Sequence, residues 1–205
     1  MGKVDVNKQQ KESSLLKTAF EFFTTKGFSK TSISDIAGKA GVAKGTFYLY
    51  FKDKYDIRNK LVAHKSSQLF MNAMNELGPE LKKVSFEDKM IRIVDNIINQ
   101  LNENQSLLTF ISKNLSWGVF KSALTSPASD DDVDFNQVYD LMIAEAPYKL
   151  KDPEIMLFMI IELVSSTCYS AILYKDPCSL SKLKPYLYST IKLMIAQHKI
   201  NETNA

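Results

Sequence analysis

Between residues 27 and 56 the chain stops and restarts a helix three times, and few folds tolerate such dense punctuation. Leu15, Leu16, Ala19, Phe20 and Phe23 have helical spacing, and the stripe ends at Gly27, a residue free to take the positive φ that closes a helix. Ser32-Ile33-Ser34-Asp35 has the form of a capping box, opening a short helix with Ile33, Ile36, Ala37 and Ala40 turned inward. Gly41 ends it. A third helix is predicted from Lys44 to Phe51, and Asp53 with Asp56 caps a fourth that runs from Lys54 to Leu77 and stops at Gly78-Pro79. Two short helices joined by a glycine turn make a helix-turn-helix unit, whose second helix fits the major groove of DNA.

That second helix divides by chemistry. Phe47 and Phe51 lie one turn apart and share a face that packs inward. Lys44, Gly45, Thr46, Tyr48, Leu49 and Tyr50 fall at its start or on its sides. Lysine and threonine reach phosphates or base edges, leucine touches a thymine methyl, and tyrosine hydroxyls bond phosphate oxygens. Lys54 stands in the first turn of the next helix, where the dipole disfavours a cation by roughly 0.3 to 1 kcal/mol unless an anion lies beside it. The alternative is a side chain loose in solvent next to Asp53. Charge is distributed to match: residues 1–60 hold 12 Lys plus Arg against 6 Asp plus Glu, or +6, whereas residues 61–205 hold 14 against 17, or −3. A basic front suggests a polyanionic partner.

Residues 15–57 resemble the DNA-binding domain of the tetracycline-repressor (TetR) family of bacterial transcriptional regulators. Ala19, Phe20, Phe23, Gly27, Phe28, Thr31, Ile33, Ile36, Ala37, Ala40, Gly41, Val42, Gly45, Thr46, Tyr48, Tyr50, Phe51, Lys54 and Ile57 carry the likeness. It implies DNA contacts at Thr31, Lys44, Gly45, Thr46, Tyr48, Leu49, Tyr50 and Lys54, with Ser32 beside them. Many members carry serine where Ala43 stands, and losing such a cap typically costs about 1 kcal/mol locally.

Past Pro79 the pattern stays helical, over about 86–104, 105–124 and 135–146, with 126–134 a polar loop, and then two long carboxy-terminal helices. No alternating strand pattern of useful length interrupts it. The fold expected is all-α, about nine helices, with a helix-turn-helix domain at 1–54 and a ligand-binding and dimerisation domain at 55–205. Asp152-Pro153-Glu154 opens a helix with a cap, a proline and an acid. Ile155 to Ile161 is unbroken apolar sequence, and a helix apolar all round must be covered on every side. Leu180, Leu183, Leu187, Ile191 and Met194, with His198, form a stripe that suits either a seam between two copies or the core of one. The resemblance implies the former, a homodimer paired through its last two helices.

The resemblance also implies a ligand pocket between head and bundle. Candidates to line it are Phe70, Met74, Phe110, Trp117, Phe120, Tyr139, Met159 and Tyr169, rings and thioethers that suit a lipophilic or aromatic small molecule, although such stripes also build plain cores. Glu162 would bind a cationic ligand, pair across a dimer or point to water. Two histidines, His64 and His198, no nucleophile with a base, no phosphate loop and no metal-ligand spacing argue against an enzyme, a cofactor or a metal. Cys168 and Cys178 read as structural and fit a reducing compartment. The polar start is not a secretory signal, and Ile155–Tyr174, broken by Glu162 and several hydroxyls, is not read as a membrane span, which places the protein in the cytoplasm. The function expected is a homodimeric repressor of operator DNA released by a small molecule. An activator, a regulator controlled by a protein partner and a helical dimerising scaffold are the alternatives.

Overall fold

The structure is a computed structural model that describes residues 3–115, 118–119 and 143–200. Among them are eight α-helices and one 3-10 helix: α1 (Lys3–Thr25), α2 (Ile33–Lys39), α3 (Lys44–Phe47), α4 (Lys54–Leu77), the 3-10 turn Gly78–Lys83, α5 (Phe86–Glu103), α6 (Gln105–Asn114), α7 (Pro153–Leu173) and α8 (Leu180–His198). No strand occurs among the described residues; one isolated antiparallel bridge joins Leu150 to Lys199. The all-α expectation holds. The loop expected at 126–134 and most of the helix expected at 135–146 lie outside the described residues.

Local chemistry accounts for most boundaries. Gly27 (φ 86°) and Gly41 (φ 73°) turn the chain where an L side chain would be strained. Ser32 and Asp35 form both halves of the capping box, with the Asp35 amide donating to Ser32 Oγ at 3.0 Å and the Ser32 amide to Asp35 Oδ2 at 2.9 Å. Asp53 caps α4 by accepting from the Tyr55 and Asp56 amides. Ser85, Asn104 and Ser179 do the same for α5, α6 and α8.

Three boundaries differ from those the sequence predicts. First, α3 is a single turn, and the chain from Tyr48 continues in tight turns, with the Leu49 amide donating to Thr46 O and the Tyr50 amide to Phe47 O. Ala43 supplies no side-chain cap and Gly45 is a poor helix former, so nothing local extends the helix. Second, α6 ends at Asn114 rather than near residue 124. Third, Asp152 does not cap α7 with its side chain; it sits in the left-handed region (φ 46°), and its carbonyl takes the first amides of the helix.

Most of the buried side chains form one cluster from Leu15 and Phe47 in the head to Ile191 and Ile195 in the body, and Phe70, Ala73 and Ile93 form a second, smaller one. The division expected between residues 54 and 55 falls in the first turn of α4, so that helix is common to both parts. In the body α5 and α8 are joined by ion pairs, Asp88 to Lys192 at 2.7 Å and Asp95 to Lys184 at 2.5 Å, and Tyr188 also donates to Asp95. Burial alone would push the Asp95 carboxyl up, but the bonds from Lys184 and Tyr188 outweigh it and hold the group below its usual value.

α7 is long and apolar enough, by length and composition, to cross a membrane. Here Met156, Leu157, Ile160, Cys168, Ala171 and Ile172 are buried against the rest of the body, which leaves the opposite face open.

Candidate nucleic-acid interface and central cavity

At the head, Phe47 and Phe51 are fully buried with ring centroids 5.4 Å apart, and they anchor α3 and the turns that follow. What they hold outward is the set of groups the sequence singled out. Leu49 is 79% exposed and Tyr48 52%, while Thr46 and Tyr50 are half-buried and Lys44 and Gly45 exposed. Lys44 makes no hydrogen bond or ion pair with any described residue. Two further lysines of the head, Lys30 and Lys52, are likewise exposed, and their ammonium groups make no hydrogen bond or ion pair with any described residue. Neither is marked by a motif; their nearness in sequence to the turn residues is the one signal that points to them.

Two candidates are engaged within the chain itself. Thr31 is only 2% exposed, and its hydroxyl donates to Gly27 O at 2.9 Å, so it closes the α1–α2 loop from inside and presents no group to a partner. Lys54 is neither loose in solvent nor free: its ammonium donates to Phe28 O and Thr31 O, both at 2.9 Å, and lies 4.4 Å from the centroid of the Phe28 ring. It fastens the start of α4 to the loop that carries Ser32. Ser32 itself is exposed, with its hydroxyl engaged by Asp35. Those same bonds, backbone first, hold the Asp35 carboxyl below the usual aspartate value.

Residues 15–61 match the family model described as "Bacterial regulatory proteins, tetR family". The likeness to the TetR family is thus carried by the head. Curated relatives agree: the chain is 40% identical over 71 residues to the regulator YvdT of Bacillus subtilis, covering 35% of this chain and 34% of that one. It is 33% identical over 100 residues to the fatty acid metabolism regulator protein of the same organism, covering 49% of this chain and 50% of that one. The matches thus span half or less of those relatives' length. Over the whole chain the likeness is one of fold. A Bacillus subtilis regulator, FadR, solved in complex with stearoyl-CoA, superposes with a TM-score of 0.60 at 21% identity, covering 90% of this chain and 97% of that one.

Below the head, α4, α5, α6 and α7 line a cavity of ≈ 170 Å³. α4 contributes Ser66, Leu69 and Phe70, and α5 contributes Met90, Ile93 and Val94. α6 adds Leu108, Ile111 and Ser112, and α7 adds Leu157, Ile160 and Val164. Its polar groups are few. Ser66 Oγ is buried and has no hydrogen-bond partner, and the Cys168 thiol is pushed up to about 11 by burial.

Of the candidates to line a pocket, Phe70 does so. Met74 packs instead against Phe70, Ala73 and Ile93. Phe110 is buried on the opposite side of α6, its ring 5.4 Å from Phe20 and 6.4 Å from Phe23 on α1. Met159, Glu162 and Tyr169 lie off the inward stripe of α7, roughly 100° or more around the helix from Ile160; Glu162 is exposed, and Tyr169 packs on Tyr174 at 5.9 Å. Trp117, Phe120 and Tyr139 lie outside the described residues.

The α8 stripe packs at least in part within the single chain. Leu187 and Ile191 are 3% and 0% exposed within the single chain, and Leu180, Leu183 and Met194 pack against the same core. The large apolar side chains exposed along these helices are others: Ile155 and Phe158 on α7, Tyr174 just beyond its end, and Tyr186 and Leu193 on α8. Among the described residues no group of three or more His, Cys, Asp or Glu is placed to hold a metal ion.

Proposed function

We propose that the protein is a homodimeric transcriptional repressor whose heads read a near-palindromic operator and release it when a lipophilic molecule enters the central cavity. The observation that carries the reading is the presentation of Lys44, Gly45, Tyr48 and Leu49 on an exposed turn held by two buried phenylalanines. No described residue hydrogen-bonds or ion-pairs with the Lys44 ammonium or the Tyr48 hydroxyl, and the chemistry of the set suits phosphates and base edges. Lys30 and Lys52 extend the basic surface beside them. The relatives matched at the head are transcriptional regulators, which favours this reading over an enzyme or a scaffold. A partner of this kind places the protein in the cytoplasm.

The lining favours an aliphatic ligand over an aromatic one, because among the described residues leucine, isoleucine, valine and methionine dominate it and Phe70 is the one ring. A long acyl chain fits that surface, with the orphan Ser66 hydroxyl ready for a polar atom of the ligand. The fatty acid metabolism regulator among the relatives supports this class. α6 connects cavity to head: Leu108 and Ile111 touch the void, and Phe110 stacks on α1. A ligand that displaces α6 shifts α1, and with it the head. Dimerisation uses the open faces of α7 and α8, since an apolar helix covered on one side only needs a second surface.

A thermal-shift series tests the ligand claim. Palmitate and palmitoyl-CoA should raise the melting temperature in proportion to the logarithm of their concentration. Val164→Phe, which fills the cavity, should abolish the shift and keep operator binding. Equal shifts in wild type and Val164→Phe would rule the cavity out.

A further inference from the structure

We infer that the cleft between α1 and α4 is a second ligand site, separate from the central cavity, for a small organic anion carrying an apolar group. The cleft has a volume of ≈ 390 Å³, and none of its lining residues also lines the cavity. On α4 the two sites use different faces, Leu61, Lys65 and Gln68 here and Ser66, Leu69 and Phe70 there. The floor is apolar, made by Leu16 and Phe20 of α1 and Leu61 of α4. A cation stands on each wall, Lys17 on α1 and Lys65 on α4.

Lys65 is what makes the cleft more than a crevice. It is half-buried, its ammonium donates to Gln68 Oε1 at 2.9 Å and lies 5.2 Å from the centroid of the Phe20 ring, and no described carboxylate comes within ion-pair distance of it. Burial pushes its pKa below the ordinary lysine value, with no opposite charge to raise it again. A desolvated cation without a counter-ion is a standing cost that an incoming anion removes. Lys17 also lacks a partner among the described residues. Glu12 is the one carboxylate among the described lining residues and pairs with neither lysine, so two lysines stand against one glutamate. An anion held between Lys17 and Lys65 would lay its apolar part on Phe20 and Leu61, touching both the helix that opens the head and the one that carries it. Carboxylates and phosphates share this chemistry.

Isothermal titration of the full chain with phenyl phosphate, benzoate, inorganic phosphate and phenol tests the assignment. Phenyl phosphate or benzoate should bind saturably, more tightly than inorganic phosphate and than phenol. Lys65→Met should weaken that binding by about tenfold, as removal of one charge-assisted hydrogen bond would. Lys65→Arg should retain it, and Val164→Phe should leave it unchanged, which separates this site from the cavity reading. Binding that survives Lys65→Met, or that is lost in Val164→Phe, overturns the inference. So does phenol binding as well as phenyl phosphate, a comparison in wild-type protein that holds even if a variant fails to fold.

Discussion

Replacing Gly45 with alanine separates what the head needs for folding from what it needs for reading. Gly45 lies in α3 with no positive φ, and a Cβ built on it meets no heavy atom within 4 Å. The chain itself therefore has no use for the missing side chain. In a helix alanine is favoured over glycine by about 0.5–1 kcal/mol, which in a chain of this size raises the melting temperature by about 1–4 °C. In the proposed complex with DNA the open space above Gly45 is where the sugar-phosphate backbone would approach, and the added methyl would push it away. A loss of about 1.4 kcal/mol there is about tenfold in affinity. Differential scanning fluorimetry and fluorescence anisotropy on one labelled operator fragment, at one salt concentration, read both quantities. A Gly45→Ala protein that is more stable and binds more weakly fits the geometry. Unchanged or tighter DNA binding would refute the placement of Gly45 at the contact, and a fall in stability would refute the packing argument.

Three further perturbations divide roles that the head and body combine. Lys44→Gln should lower operator affinity and reduce the slope of log K against log salt by about 0.9, one phosphate contact, whereas Lys54→Met should lower affinity with the slope unchanged because its ammonium serves two carbonyls. Phe110→Leu should leave operator affinity intact and blunt release by palmitoyl-CoA in the anisotropy assay, since the Phe110 ring is what presses α6 against Phe20 and Phe23 of α1. Asp95 is held below the unfolded aspartate value of about 3.9, so its contribution is present above that pH and is lost as pH falls through the lower folded value. Asp95→Asn should therefore cost about 0.5–1 kcal/mol at pH 7, after discounting for solvent at a partly exposed pair, and flatten the loss of stability below about pH 4 in urea titrations.

The helix boundaries of the head were legible because each rests on a local signal: the starts at the Ser32 and Asp35 box and at Asp53, and the ends at the glycines at 27 and 41, need no tertiary knowledge. The limits of the sequence appear where several inward residues compete. Periodicity placed Leu187 and Ile191 on one face of α8, but it carries no information on whether that face meets α5 and α7 or a second copy. Likewise rings and thioethers marked Met159 and Tyr169, while the void is lined by aliphatic side chains whose pattern is that of any core. Thr31 and Lys54 matched a family pattern as residues, yet their polar atoms turn to Gly27, Phe28 and Thr31 carbonyls, which only the three-dimensional path of the α1–α2 loop brings near.

Two copies reading one operator is the claim on which the rest depends. Genomic fragments bound by the purified full chain can be recovered, sequenced and footprinted. The account predicts one enriched family of sites protected over two inverted half-sites about 34–36 Å apart, one turn of duplex, with two chains per site by ultracentrifugation. No enrichment over bulk DNA, or one chain on one undivided half-site, would contradict it.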